Sequence, residues 1–316
     1  MYSAFMKIMT LLLTVVFIVI TVATGAMSAG SNYGPKDPKT VELNAVVIAD
    51  VHADGNTFRD RNILLNKVFR GISRNTSPTD ALVIAGDITN SATYNEYYNL
   101  QAMLTIHNKA GQIVPALGNH DYDGTSDGYQ YETAFARFRD FCGWCGIETQ
   151  KPYYSAEING FRFIVLGSEA LAGTNAYISR LQIKWLDGEL TAAEGAGKPV
   201  FIVAHQPLKD TNGVSWLWSD GGTLGEQSDD VRAVIEKHTA AGLPVLYMSG
   251  HLHEDFSDVS FEKISENFYG LNLPSVQYTQ GGGRAVTLEC YPDEALIRTR
   301  DFLKGEWLEE EYSVKF

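Results

Sequence analysis

Cysteine is scarce, with three in 316 residues, which excludes a small scaffold held together by disulfides in place of a core. Proline is sparse too, at 10 residues, and no repeat or low-complexity segment interrupts the chain, so collagen-like and disordered classes are excluded. Basic charge is in deficit: 25 Lys and Arg stand against 38 Asp and Glu, a formal net charge of −13. Such a surface repels polyanions, no run of Lys and Arg offsets it locally, and nucleic acid is not expected as a partner. After the first two dozen residues no apolar run is long enough to span a membrane. What remains, 45% hydrophobic and 20% charged, is the composition of a folded globular protein with ample core.

The N-terminus differs. Ile8 to Thr24 is apolar apart from threonines, follows Lys7, the only charged residue before Lys36, and precedes the small residues Gly25-Ala26-Met27-Ser28-Ala29-Gly30. Residues 1–26 therefore read as a secretory signal cut after Ala26, with Ala29 as an alternative cut and an uncleaved N-terminal anchor as the alternative reading. Either predicts a secreted or extracytoplasmic protein that meets a membrane only through such an anchor. Residues 27–40, including the Pro/Gly-containing stretch Ser31 to Lys39, read as a linker, and residues 41–316 as a single domain.

Export makes Cys142-Gly143-Trp144-Cys145 a candidate disulfide or redox pair. The motif follows an apparent helix, Tyr131 to Phe141, and so sits at the negative end of a helix dipole, where a thiolate is disfavoured. A structural bridge or two inert thiols is expected instead. Cys290 shares a strand face with Val286 and Leu288 and is expected to be a buried thiol.

Apolar strand-like runs recur at Ala45 to Ala49, Ala81 to Ala85, Ile113 to Leu117, Phe161 to Leu166, Val200 to Ala204 and Val245 to Met248. Helical spacing separates them: Leu64, Leu65, Val68, Phe69 and Ile72, then Ile178, Leu181 and Trp185 around a Ser179-x-x-Gln182 capping box, then a helix starting at Ser228-Asp229-Asp230. This alternation predicts an α/β fold. The last segment, Arg284 to Tyr291, Ala295 to Phe302 and Trp307 to Val314, reads as a β-meander.

The runs end in polar residues of one kind: Asp50-Val51-His52, Gly86-Asp87, Gly118-Asn119-His120-Asp121, His205, and Gly250-His251-Leu252-His253. Strand ends of an open α/β sheet line one crevice, so clusters spread over two hundred residues of sequence can converge. In extended chain, residues two apart point the same way, which predicts that Asp50 pairs with His52 and His251 with His253. Each fragment alone is commonplace, since a lone His at a strand end is usually a structural residue. Yet five of the 7 histidines fall in these clusters, leaving only His107 and His238 to purely structural roles. Mixed imidazole and carboxylate donors without thiolate suit divalent Mn, Fe or Zn, and more donors are present than one ion needs. Two divalent transition-metal ions are expected, the arrangement that activates water and clamps a phosphoryl group.

This ordered set resembles the calcineurin-like metallophosphoesterase family, whose members include purple acid phosphatases and class III cyclic-nucleotide phosphodiesterases. The resemblance covers about Val41 to Asp255, and it implies a four-layer α/β/β/α sandwich with the C-terminal meander. It also implies one metal on Asp50, His52, Asp87 and His253, and a second on Asp87, Asn119, His205 and His251. His120 would then contact the phosphoryl group or protonate the leaving oxygen, with Asp121 orienting it. Asn90 stands where purple acid phosphatases place a metal-binding tyrosine, which argues against a tyrosinate-ligated ferric site. Gly86 to Asp121 contains no Arg, which argues against a phosphoprotein substrate. The continuation Thr89-Asn90-Ser91 and the block His205-Gln206-Pro207 look more like secreted bacterial phosphohydrolases of the cyclic-nucleotide phosphodiesterase branch. The implied activity is hydrolysis of small phosphate mono- or diesters by a metal-bound hydroxide; the alternative is a catalytically silent metal-binding scaffold or protein-interaction module. Trp216, Trp218 and Asp220, and the loop Tyr122 to Gly128, are read as ordinary loop residues, with a cover over the substrate as the alternative.

Overall fold

The computed structural model describes residues 8–13, 15–16, 34–74, 79–122, 131–214, 221–278 and 282–316. The apolar runs become strands: β1 (Leu43–Ile48), β2 (Thr79–Ile84), β3 (Ala110–Pro115), β5 (Phe161–Val165), β6 (Val200–Val203) and β7 (Val245–Ser249). The meander is β10 (Arg284–Tyr291), β11 (Glu294–Asp301) and β12 (Glu306–Lys315). Three further strands, β4 (Tyr154–Ile158), β8 (Phe261–Ser265) and β9 (Phe268–Asn272), complete the set. Half-buried and carrying Glu262 and Lys263, β8 lacks a continuous apolar run that would mark it in sequence. Five helices, α1 (Asp60–Ile72), α2 (Tyr94–His107), α3 (Tyr131–Trp144), α4 (Arg180–Ala193) and α5 (Ser228–Ala240), join the strands.

The strands form two six-stranded sheets, ordered β12-β11-β10-β1-β2-β3 and β4-β5-β6-β7-β9-β8. Period-two alternation divides each strand between two cores. In β1, Ala45 and Val47 face the other sheet, whereas Val46 and Ile48 face Leu65 and Phe69 of α1 and Leu100 and Met103 of α2. In the second sheet, Phe163, Phe201 and Val203 fill the space between the sheets, whereas Ile164 and Ile202 meet Leu186, Leu190 and Ile235. Small residues on one sheet (Ala45, Ala81, Ala116) accommodate the large rings of Phe161, Phe163 and Phe201 on the other. The result is the four-layer α/β/β/α sandwich with its C-terminal meander.

Two local readings change. Ser179 accepts from Gln182 N at 3.2 Å, but the Gln182 side chain turns to the backbone of Gly167, and the Ser179 amide donates to Glu169 instead. The reciprocal half of that capping box is therefore not made. A complete box caps α2, with Thr93 accepting from Glu96 N and Glu96 accepting from Thr93 N. Buried along most of its length, α2 shows no apolar stripe, which hides its start in the sequence.

Helix α3 continues past Phe141, so Cys142 lies inside it and Cys145 just beyond. All three cysteines are free thiols, and burial raises the pKa of Cys142 well above its ordinary value. Inertness is thus the outcome for this pair, and no bridge joins it. Cys142→Ser, which buries a hydroxyl in an apolar core, is expected to cost about 1–3 kcal/mol in denaturant unfolding while leaving turnover nearly unchanged. Cys290 is buried between the sheets, as its strand face predicts. His107 is buried on Asn66, and His238 bridges Glu194 and Asp187.

Among the described residues no helix is long and apolar enough to cross a membrane. Most of residues 1–26, expected from the sequence to be a signal or an anchor, lie outside the described residues.

Candidate metal centre

Five strand ends build the site, three from one sheet and two from the other. Asp50 and His52 follow β1, Asp87 follows β2, Asn119 and His120 follow β3, His205 follows β6, and His251 and His253 follow β7. The chain does not leave these strands in extended form. Asp50, His52, Asp87, His251 and His253 all have positive φ, between 44° and 76°, and they make up half of the described non-glycine residues with such backbone. Backbone of this kind is costly for L-residues and persists where long-range contacts hold it, typically at functional sites.

Backbone and side-chain hydrogen bonds supply those contacts. Asp50 N donates to Gly86 O (3.2 Å) and His52 N to Asp87 O (2.8 Å) within one sheet's loops, Gly250 N donates to His205 O (2.9 Å) within the other's, and His251 N donates to the Asp50 carboxylate (3.0 Å) across the two. Behind them, Ser275 Oγ donates to Asp50 O and Gln277 Nε2 to Val51 O, two supports that no sequence pattern marks. The glycines before the ligands are required by closeness: a Cβ on Gly86 would collide with the His205 ring, one on Gly118 with Asp87, and one on Gly250 with the Asp50 carboxylate.

The side chains form two groups of donors sharing one residue. Asp50, His52, Asp87 and His253 have ligand atoms within 4.8 Å of one another, as do Asp87, His205 and His251. Thus Asp50 and His52 serve one centre while His251 and His253 part company; all four residues are turned into left-handed backbone, so the pleat's alternation decides neither pairing. Asp87 Oδ1 accepts from the His120 amide (2.9 Å), which leaves Oδ2 between His205 Nε2 at 3.1 Å and His52 Nε2 at 3.5 Å. One carboxylate oxygen therefore faces both groups.

Electrostatics fit a cation. His52 Nε2 lies 3.2 Å from His253 Nε2, and His251 Nδ1 lies 3.1 Å from His205 Nε2. Ring nitrogens this close share either a proton or a cation, and a cation bound among them would take the proton's place. His205 Nδ1 is on Ala85 O at 3.0 Å, so Nε2 is the nitrogen turned to the site. Asn119 Oδ1 is buried without a hydrogen bond among the described residues, the condition of an oxygen reserved for a cation. The residues present fit two divalent ions.

Burial opposes ionisation of Asp50 but is outweighed by His253, His52 and His205, so its pKa lies well below the ordinary value, and Asp87 is lowered in the same way. Burial, aided by the neighbouring His205, pushes His251 down to about 3, leaving a neutral ligand. In His205 the charge of Asp87 overrides burial and lifts the pKa to about 9, so metal binding must displace a proton there.

His120 stands beside this centre, its ring 4.7 Å from that of His52. Its Nδ1 donates to the Asn90 carbonyl at 2.8 Å, which leaves Nε2 for another partner. Asp121 does not orient it. The Asp121 carboxylate is fully buried and accepts from the amides of Ile88, Thr89 and Gly118 and from the Thr89 hydroxyl, at 2.8–3.0 Å. Consecutive residues of a tight 3₁₀ turn point apart, so Asp121 clamps the Asp87 loop to the Asn119 loop while a backbone carbonyl holds the imidazole. Burial and the charge of Asp87 raise the pKa of Asp121 to about 6.

Two residues at the rim carry no sequence signal. Tyr278 stacks on His253 (centroids 5.0 Å, 21°) and meets His52 edge-on at 5.1 Å. Arg61, from α1, donates to Asn90 Oδ1 and lies over the Tyr278 ring. An arginine does reach the centre, from outside the stretch Gly86 to Asp121. Trp216, Trp218, Asp220 and residues 123–128 lie outside the described residues; Tyr122 is buried, with its hydroxyl on Asn175 O.

The sequence model of calcineurin-like phosphoesterases matches residues 43–255. A 3′,5′-cyclic-nucleotide phosphodiesterase of Nostoc sp. is 27% identical over 199 residues, covering 63% of this chain and 63% of that protein, so the match falls short of two thirds of its length. The human manganese-dependent ADP-ribose/CDP-alcohol diphosphatase is 28% identical over 127 residues, 40% of this chain and 33% of that one. Among solved structures, a dimetal phosphatase from Danio rerio has the same fold, with a TM-score of 0.61 at 18% identity over 87% of this chain and 99% of its own.

Proposed function

This chain belongs to the calcineurin-like phosphoesterase family, and from that premise we propose that it is a phosphoric ester hydrolase acting on small organic phosphodiesters with two divalent transition-metal ions. The observation that carries the reading is Asp87, whose one free carboxylate oxygen faces His52 on one side and His205 on the other. Asp50, His52, Asp87 and His253 would hold one ion, and Asp87, Asn119, His205 and His251 the other. Such a pair, when bound, supplies an activated water at neutral pH and clamps the oxygens of an in-line displacement at phosphorus. The chain's own part is to aim these donors from rigid strand ends and to deliver a proton. His120, fixed through Nδ1 by Asn90, presents Nε2 to the oxygen that departs.

A diester is favoured by the cyclic-nucleotide phosphodiesterase name of the Nostoc relative, and a diphosphate-bridged diester by the name of the human one. Manganese is the first metal to load, again by the human relative's name. On the strength of the apolar segment Ile8 to Thr24, the site of action is outside the cytoplasm.

Elemental analysis of purified protein is expected to find about two transition-metal ions per chain, and chelation to abolish activity. Manganese-loaded protein should turn over bis(p-nitrophenyl) phosphate faster than p-nitrophenyl phosphate. An active preparation with one ion or none overturns the two-ion reading, and a preference for the monoester overturns the diester reading.

A further inference from the structure

Arg61 lies at the rim of the metal centre, one residue removed from its donors. Its guanidinium donates to Asn90, whose carbonyl holds His120, and lies 5.3 Å from the centroid of Tyr278, whose ring packs on His52 and His253. Tyr278 and Gln277 also line a groove of about 460 Å³ whose other lining residues, Asp60, Arg61, Ile63, Leu64 and Lys67, come from α1. Helical spacing of three residues puts Arg61, Leu64 and Lys67 on one side of α1. Among the described residues neither Arg61 nor Lys67 pairs with a carboxylate. Two cations and one carboxylate leave this groove net positive, on a chain whose net charge is −13.

Because Tyr278 packs on His52 and His253 and also lines the groove, a phosphoryl group at the metal centre would have that ring beside it, and a substituent reaching past the ring would meet the groove. Neutral alkyl or aryl groups gain little from two unpaired cations, whereas an oxyanion gains charge-assisted hydrogen bonds, bidentate on a guanidinium. We infer that the groove takes the second phosphoryl group of a diphosphate-bridged substrate, with Arg61 and Lys67 as its specificity-determining residues; this rests on the phosphoesterase reading above. Hydrolysis then breaks the P–O–P bridge. The water oxygen bonds to the phosphorus at the metal centre, the bridging oxygen leaves with the phosphate held by Arg61, and the products are two phosphomonoesters that share the protons of the water.

Calorimetric titration of manganese-loaded protein with α,β-methylene-ADP, whose bridge cannot be cleaved, tests the groove without turnover. Arg61→Gln is expected to weaken its binding about tenfold or more, the scale of one hydrogen bond to a charged group, and to weaken AMP binding less. Arg61→Lys should recover part of the loss. Lys67→Gln, which does not disturb Asn90, should act in the same direction. In turnover, the preference for ADP-ribose over bis(p-nitrophenyl) phosphate should fall by a similar factor in Arg61→Gln. Equal loss for both substrates, or equal weakening of AMP and α,β-methylene-ADP, would show that Arg61 merely supports Asn90 and His120 and overturns the inference, as does binding that no variant changes. If wild-type protein turns over neither substrate, the phosphoesterase reading fails, and the calorimetry still decides the groove.

Discussion

Asp87→Asn is expected to lower metal content at both positions and to reduce turnover by at least about 10³-fold, because a bridging carboxylate lost from both ions forfeits several kcal/mol of charge stabilisation. The substitution keeps the shape of the residue and an acceptor for the His120 amide, which now holds Oδ1 at 2.9 Å. What it removes is the negative charge on the oxygen that faces His52 and His205. His52→Ala is the control, since His52 belongs to only one donor group and its loss should chiefly empty that position. Elemental analysis beside steady-state rates separates the two. Should Asp87→Asn lose one ion and keep the other at full occupancy, Asp87 is a terminal ligand and the shared-oxygen arrangement is wrong.

His120→Asn should behave in the opposite sense, keeping both metals while slowing hydrolysis by about 10²–10⁴-fold for esters with poor alkoxide leaving groups. His120 stands outside both donor groups, and its Nδ1 is already committed to Asn90. Activated aryl esters should suffer less, because a stable leaving anion needs little protonation. The variant's rate should therefore depend more steeply on leaving-group basicity than that of the wild type. A uniform slowing of all esters with metals retained would assign His120 to charge stabilisation on the phosphoryl oxygens instead. Loss of metal would make it a ligand.

The neighbouring acid illustrates how far adjacency in sequence misleads. Asp121 follows His120 directly, yet the two side chains serve different ends: one faces the site, the other ties Ile88, Thr89 and Gly118 together in the interior. A short turn rotates successive side chains apart, and which of them meets the imbalance of donors behind it depends on the loop after β2, 30 residues earlier in the chain. The same holds for His251 and His253, whose spacing suits a shared target in extended chain but which, in a backbone that is not extended, join different donor groups.

The residue types and their order along the chain were enough to read the α/β alternation, the meander and the donor inventory, because these depend on local regularities, whereas the four-layer sandwich and the division of the donors between two ions came from the resemblance to the phosphoesterase family. Period-two and helical spacing act within a few residues, and strand ends in such a sheet gather on one side whatever the loops do. The tertiary structure alone decided that Asn90 rather than Asp121 holds His120, and that Arg61 and Tyr278 rim the centre. Each of these rests on contacts between segments far apart in sequence: helix α1 against the loop after β2, the Ser275 to Tyr278 turn against the Asp50 loop. Such contacts hold the five ligand residues in backbone that their own side chains disfavour, and no local pattern encodes a conformation that only distant hydrogen bonds stabilise.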